Sequence, residues 1–160
     1  MITLVLGGAR SGKSEIAEGL VAKLPAPILY FATAQPEGDD DFIARVERHR
    51  DRRPSEWTTI EAGADLAGAL QAARGTALVD ALGPWVSSHA DFVVDVDALI
   101  AALTQRDGDA VVVSEEVGLG VHPSTESGRK FRDALGDVNR AVAAIANEVL
   151  LVVAGRVLPL

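Results

Sequence analysis

A largely apolar run, Ile2-Thr3-Leu4-Val5-Leu6, leads straight into Gly7-Gly8-Ala9-Arg10-Ser11-Gly12-Lys13-Ser14. A strand followed by a glycine, four residues and then Gly-Lys-Ser is the phosphate-binding loop pattern. It commits the chain to a strand–loop–helix unit in an α/β sheet. The helix side of the unit is present too: Ile16, Ala17, Leu20, Val21 and Leu24 recur on one face. Gly7, Gly8 and Gly12 allow a tight turn whose N–H groups point inward at phosphate oxygens, and the helix starting near Lys13 adds the positive end of its dipole. Lys13 then supplies a point charge for the terminal phosphates, and the Ser14 hydroxyl is the expected magnesium ligand. The bland alternative is a Gly-rich turn that merely ends a strand. With strand, loop and helix in order, the eight residues from Gly7 to Ser14 are read as a site for a nucleoside triphosphate.

The other function classes are narrowed by charge and composition. The formal net charge of -8 gives no general basic field, so no nucleic-acid partner and no membrane-surface role are expected. An anionic ligand must therefore be held locally. With no cysteine, disulfides, thiolate metal sites and cysteine nucleophiles are excluded. No segment approaches a membrane span in length, and the N-terminus runs directly into a core strand, so no membrane insertion and a cytoplasmic location are expected. A chain of 160 residues is expected to form a single domain over 1–160.

Short apolar runs alternate with helix-like stretches, which predicts a mostly parallel sheet flanked by helices. Strands are expected at Ile28–Thr33, Trp57–Glu61, Thr76–Asp80, Ala110–Ser114 and Val149–Ala154. Helices are expected over Phe42, Ile43, Val46 and His49, around Leu66 and Leu70, around Leu99, Ile100 and Leu103, and along Phe131, Leu135, Val138, Val142 and Ile145. Residues 83–95 carry the weakest pattern, because Gly83-Pro84 argues against a helix. A Gly-rich loop runs through Gly118 and Gly120 to Pro123.

Two further places carry chemistry. Asp80 ends an apolar strand, where phosphate-loop enzymes place an acid that helps hold magnesium; an aspartate that only caps the next turn would look the same. In the segment Arg45 to Arg53, five arginines surround His49. As composition alone this is a solvated basic helix face. Functionally, the arginines could clamp a triphosphate beside a nitrogen nucleophile, with the neighbouring cations keeping the imidazole neutral and hence nucleophilic. His89 and His122 read as loop histidines rather than metal ligands, and Trp57 and Trp85 as packing residues.

Taken in order, the loop Gly7–Ser14, the segment Arg45–Arg53 with Pro54, Trp57, Thr59 and Glu61, and the run Glu116-Val117-Gly118-Leu119-Gly120 form a series. Together with Phe131-Arg132-Asp133, Asn139 and Val152-Val153-Ala154-Gly155, this series resembles the adenosylcobinamide kinase / adenosylcobinamide-phosphate guanylyltransferase family over essentially the whole chain. The resemblance implies a RecA-like P-loop NTPase fold and a bifunctional enzyme of cobalamin biosynthesis. It implies phosphorylation of adenosylcobinamide by ATP or GTP, followed by transfer of GMP from GTP to adenosylcobinamide phosphate. The second step would pass through a guanylyl-histidine and release pyrophosphate. Some relatives carry two adjacent histidines here; the first matches Arg48, which leaves His49 as the candidate. The resemblance further implies nucleotide contacts from Thr33, Ala34, Gln35, Arg50, Asp51, Arg52, Arg53, Glu61 and Asp80, and assembly as a homotrimer with the nucleotide near a subunit boundary.

Three stretches depart from the family's usual pattern: Ala81 to His89, His122 in place of an aliphatic residue, and Glu115 where an asparagine usually stands. They bear on how the corrinoid is held rather than on the nucleotide chemistry. Two rival readings make different predictions. A plain small-molecule kinase would not need His49. A nucleotide-dependent switch would carry a guanine-reading Asn-Lys-x-Asp motif, which is missing from the sequence.

Overall fold

The computed structural model describes residues 1–34 and 53–160, and the helix expected over Phe42 to His49 lies outside the described residues. The described part is built on one seven-stranded sheet in the order β3-β2-β4-β5-β1-β6-β7. The strands are β1 (Ile2–Gly7), β2 (Ile28–Ala32), β3 (Thr58–Glu61), β4 (Thr76–Asp80), β5 (Ala110–Glu115), β6 (Glu148–Val153) and β7 (Arg156–Pro159). All neighbours pair parallel except β7, which returns antiparallel on β6. The helices are α1 (Lys13–Val21), α2 (Leu66–Ala72), α3 (Leu82–Ser87), α4 (Val96–Gln105) and α5 (Glu126–Ile145).

The near-continuous apolar strands follow from helices covering both faces of the sheet. Successive strand residues point to opposite sides, so each interior strand feeds two cores. Val5, Tyr30, Leu78, Val111 and Val113 face α1, where Ala17 and Val21 meet them. Leu4, Leu6, Phe31, Val79 and Val112 face the other helices, packing with Leu66, Leu70, Leu82, Leu99, Leu135, Val138 and Val142. Truncating a fully buried leucine here, such as Leu135 to alanine, would cost about 2–5 kcal/mol.

Local signals set the helix starts. The side chains of Asp65, Asp95 and Thr125 accept from the N–H groups of Gly68, Ala98 and Gly128 at 3.0, 2.8 and 3.1 Å. Two elements differ from the expectation. A short helix, α3, occupies Leu82–Ser87 despite Gly83-Pro84. Pro84 falls in its first turn, where no helical N–H bond is required, and Leu82, Trp85 and Val86 are buried. The second difference is β7, exposed along its length, which the sequence reading did not contain.

Candidate active site

The site gathers at the carboxyl ends of β1, β4 and β5, the region where open α/β sheets hold ligands. The loop after β1 turns through left-handed backbone at Arg10 and Gly12, with φ of 57° and 91°. Only glycine fits at Gly7, because a Cβ there would collide with the Ser11 hydroxyl and lie 2.8 Å from the Val152 carbonyl. The loop is held by its own backbone, the Ser11 N–H donating to the Gly8 carbonyl at 3.3 Å. It is also held from outside. The β6–β7 turn places Ala154 and Gly155 at positive φ, and the Gly155 N–H donates to the Ser11 carbonyl at 2.8 Å. No side chain caps α1, so its first-turn N–H groups suit an anion.

Ser14 and Asp80, 66 residues apart in the chain, meet here: the Ser14 hydroxyl donates to Asp80 Oδ1 at 3.2 Å. On the other carboxylate oxygen, Oδ2, the Tyr30 hydroxyl donates at 2.5 Å. Burial pushes the Tyr30 phenol far above its usual range, and the Asp80 charge and hydrogen bond push it further; Arg53 acts in the opposite direction. Tyr30 is therefore a proton donor at every ordinary pH. Arg53 lies flat on the Tyr30 ring, its guanidinium carbon 3.5 Å from the ring centre, and donates to the Thr59 hydroxyl at 3.3 Å.

Lys13 bends back over the loop. Its Nζ donates to the Gly8 carbonyl at 3.4 Å and lies 3.5 Å from Glu115 Oε1. The other carboxylate oxygen of Glu115 accepts the Gly83 N–H at 3.0 Å. Behind it, the end of β5 is anchored to α5. The Ser114 hydroxyl donates to Asn139 Oδ1 at 2.5 Å, and Asn139 Nδ2 donates to the Glu115 carbonyl at 3.0 Å.

Of the sequence-predicted residues, Gly7 to Ser14 and Asp80 come together as expected. Thr33 does so indirectly: it is buried, its hydroxyl donating to the Ala81 carbonyl at 2.6 Å and accepting the Ala81 N–H at 2.9 Å, so it supports the chain beside Asp80. Ala34 follows it, half-buried. Glu61 ends β3, four strands from β1, about 19 Å across the sheet at ~4.8 Å per strand. Within one subunit it does not reach the phosphate loop. Gln35, His49, Arg50, Asp51 and Arg52 lie outside the described residues. Sequence reasoning missed Tyr30 and Glu115 as site residues, and the Gly155 brace. Trp85 is a core residue whose indole donates to the Ala64 carbonyl at 2.9 Å. His89 Nδ1 sits 2.8 Å from the Trp85 carbonyl, and His122 Nδ1 accepts from Arg132 at 2.9 Å, so each imidazole has an ordinary protein partner.

One hydroxyl and one carboxylate, both hard oxygen donors at the mouth of a phosphate loop, suit magnesium, which keeps most of its shell for waters and phosphate oxygens. Among the described residues, no group of three or more His, Asp and Glu side chains gathers as a self-sufficient metal cage.

The architecture is shared with a solved "prototypical ATPase from the type III secretion system of pathogenic bacteria", at a TM-score of 0.57 and 10% identity. That likeness covers 94% of this chain but 51% of the ATPase, and it shows the fold alone, a mostly parallel sheet flanked by helices. Sequence relatives are much nearer. The bifunctional adenosylcobalamin biosynthesis protein CobP of Pseudomonas aeruginosa is 39% identical, over 100% of this chain and 97% of its own length. The corresponding protein CobU of Salmonella typhimurium is 38% identical over 97% of each. The profile of one family, described as cobinamide kinase / cobinamide phosphate guanyltransferase, matches residues 3–160. A phosphate-loop motif on an α/β sheet and full-length similarity to two bifunctional relatives lead to the same place: the chain belongs to the cobinamide kinase / cobinamide phosphate guanyltransferase family.

Proposed function

We propose that one nucleotide site serves two successive transfers, phosphorylation of adenosylcobinamide and guanylylation of the resulting phosphate. The observation that carries this reading is the meeting of Ser14 and Asp80 at 3.2 Å beside the Lys13 loop. In the first step, Gly7 to Ser14 wrap the triphosphate of ATP or GTP, and Lys13 leaves the Gly8 carbonyl to follow the charge that builds on the transferring phosphoryl group. The acceptor hydroxyl oxygen bonds to the γ-phosphorus, the bond to the β–γ bridging oxygen breaks, and the nucleoside diphosphate leaves. Ser14 and Asp80 would hold a magnesium ion, which would supply neutralising charge to the triphosphate. Tyr30 fixes the direction in which Asp80 presents its carboxylate.

In the second step a ring nitrogen of His49 bonds to the α-phosphorus of GTP and pyrophosphate leaves. The phosphate of adenosylcobinamide phosphate then displaces the histidine, giving adenosylcobinamide-GDP. Arg50, Asp51, Arg52 and Arg53 serve as nucleotide contacts in this reading, with Thr33, Ala34, Gln35 and Glu61. Glu61 would then act across a subunit boundary, in keeping with a homotrimer. The exposed apolar residues Val157 and Leu158 of the edge strand β7, with Val153 at the end of β6 and Leu160 just beyond β7, support an assembly. Among the described residues no helix is long and apolar enough to cross a membrane, and a cytoplasmic enzyme is the reading adopted.

The test is intact-protein mass spectrometry after incubation with GTP and magnesium, beside His49→Ala. An acid-labile gain of one GMP, absent in the variant, is expected. Triphosphate binding without any adduct, even with the corrinoid phosphate present, would reduce the protein to a kinase.

A further inference from the structure

Glu115 holds an unusual position for an acid. It stands at the end of β5, in register with Gly7 on the neighbouring β1, so its carboxylate lies against the phosphate loop itself. One oxygen is fixed by the Gly83 N–H at 3.0 Å, and the other faces the Lys13 ammonium at 3.5 Å. A Cβ at Gly83 would strike its Oε2, so the chain leaves room there only for the carboxylate, and the Glu115 backbone is tied to Asn139 at 3.0 Å.

With a triphosphate bound, this arrangement becomes unfavourable. Lys13 then turns to the phosphates, and Glu115 Oε1 loses its cation just as a polyanion enters. A carboxylate in that place is relieved by a neutral donor, and the donor that this chemistry brings is the acceptor's hydroxyl. We propose that Glu115 is a catalytic residue of the phosphoryl-transfer step, its Oε1 accepting the hydrogen bond of the substrate alcohol and aligning that oxygen with the γ-phosphorus. As the alcohol oxygen bonds to phosphorus and the β–γ bridging bond breaks, the hydroxyl proton passes to Oε1 and from there to water. The electron pair of the broken bond leaves with the nucleoside diphosphate. Alignment is the larger contribution, because phosphoryl transfer goes through a loose transition state in which position matters more than early deprotonation. The inference rests on the kinase reading given above.

The experiment compares wild type, Glu115→Gln and Glu115→Ala, measuring adenosylcobinamide phosphorylation and, separately, the Kd of a fluorescent triphosphate analogue. The expected result is a kcat lowered roughly 100-fold or more in Glu115→Ala, with the nucleotide Kd within about threefold of wild type. Glu115→Gln, which keeps an accepting oxygen but cannot take the proton, should lie between the two. A Glu115→Ala protein with nearly wild-type kcat overturns the assignment, and so does a loss of nucleotide affinity that matches the loss of turnover, which would make Glu115 a support for Lys13. If wild type itself fails to phosphorylate adenosylcobinamide while binding the analogue, the kinase reading falls, and the role of Glu115 falls with it.

Discussion

Replacing Tyr30 by phenylalanine removes one atom from the surroundings of Asp80 and leaves everything else in place. The ring stays buried against Val5, Leu78 and Ala17, so the apolar packing of that face is kept. What disappears is the hydrogen bond to Asp80 Oδ2 at 2.5 Å. Hydrogen bonds to charged partners contribute about 1.5–3 kcal/mol, and at about 2–4 °C per kcal/mol for a chain of this size Tm should fall by roughly 3–12 °C. Urea unfolding at neutral pH measures the same loss directly. The pH dependence gives a second, independent check. The folded state raises the phenol's pKa, so the stabilisation is fully present below about pH 10, where an unfolded tyrosine keeps its proton. It is lost as pH rises towards the folded-state value, at about 1.4 kcal/mol per unit above pH 10. This is the only tyrosine in the chain, so the wild-type curve should descend in that range while the Tyr30→Phe curve lacks this component, and the gap between them should narrow. The magnesium concentration needed for half-maximal triphosphate binding should also rise severalfold, since Asp80 loses a restraint on its rotamer. A variant within about 0.5 kcal/mol of wild type, with parallel alkaline curves, would refute the reasoning.

Two other perturbations follow from the same contacts. Asn139→Ala strips partners from the Ser114 hydroxyl and the Glu115 carbonyl, both at a buried strand end, and should cost about 1–3 kcal/mol in urea unfolding; an unchanged midpoint would count against the link. Lys13→Ala should impair both half-reactions, whereas His49→Ala should abolish guanylyl transfer alone. Equal loss of kinase activity in a folded His49→Ala protein would undo that division.

The sheet was legible because burial on both faces writes each strand as an apolar run, and five of the seven strands pair parallel within such runs. β3, the parallel edge strand, was still marked by Trp57, Thr58, Thr59 and Ile60. β7 was not legible: Arg156-Val157-Leu158-Pro159 is short, ends in proline and buries nothing, so it carries neither alternation nor length. α3 was missed because Gly83-Pro84 signals a break everywhere except in the first turn of a helix. At the site, the meeting of Lys13, Ser14 and Asp80 was readable because a local motif and a strand end mark their places. Tyr30 was hidden inside Ile28–Thr33, where an aromatic residue reads as core, and its phenol finds Asp80 across 50 residues. Glu115 was visible only as a departure from the family pattern. Its significance comes from register with β1, which no local pattern encodes.

The brace between Gly155 and Ser11 bears on the order in which the molecule can be made. β1 pairs with β5 and β6, whose residues follow it by over 100 positions in the chain. The phosphate motif is therefore synthesised well before the Ala154-Gly155 turn that restrains its backbone. Such distant closures are slow compared with helix formation. A chain broken off before Gly155 would still spell the motif in full at its other end while lacking the hydrogen bond at 2.8 Å that secures it. For this protein, possession of the motif and possession of the secured loop are separated by the synthesis of everything between Ser14 and Gly155.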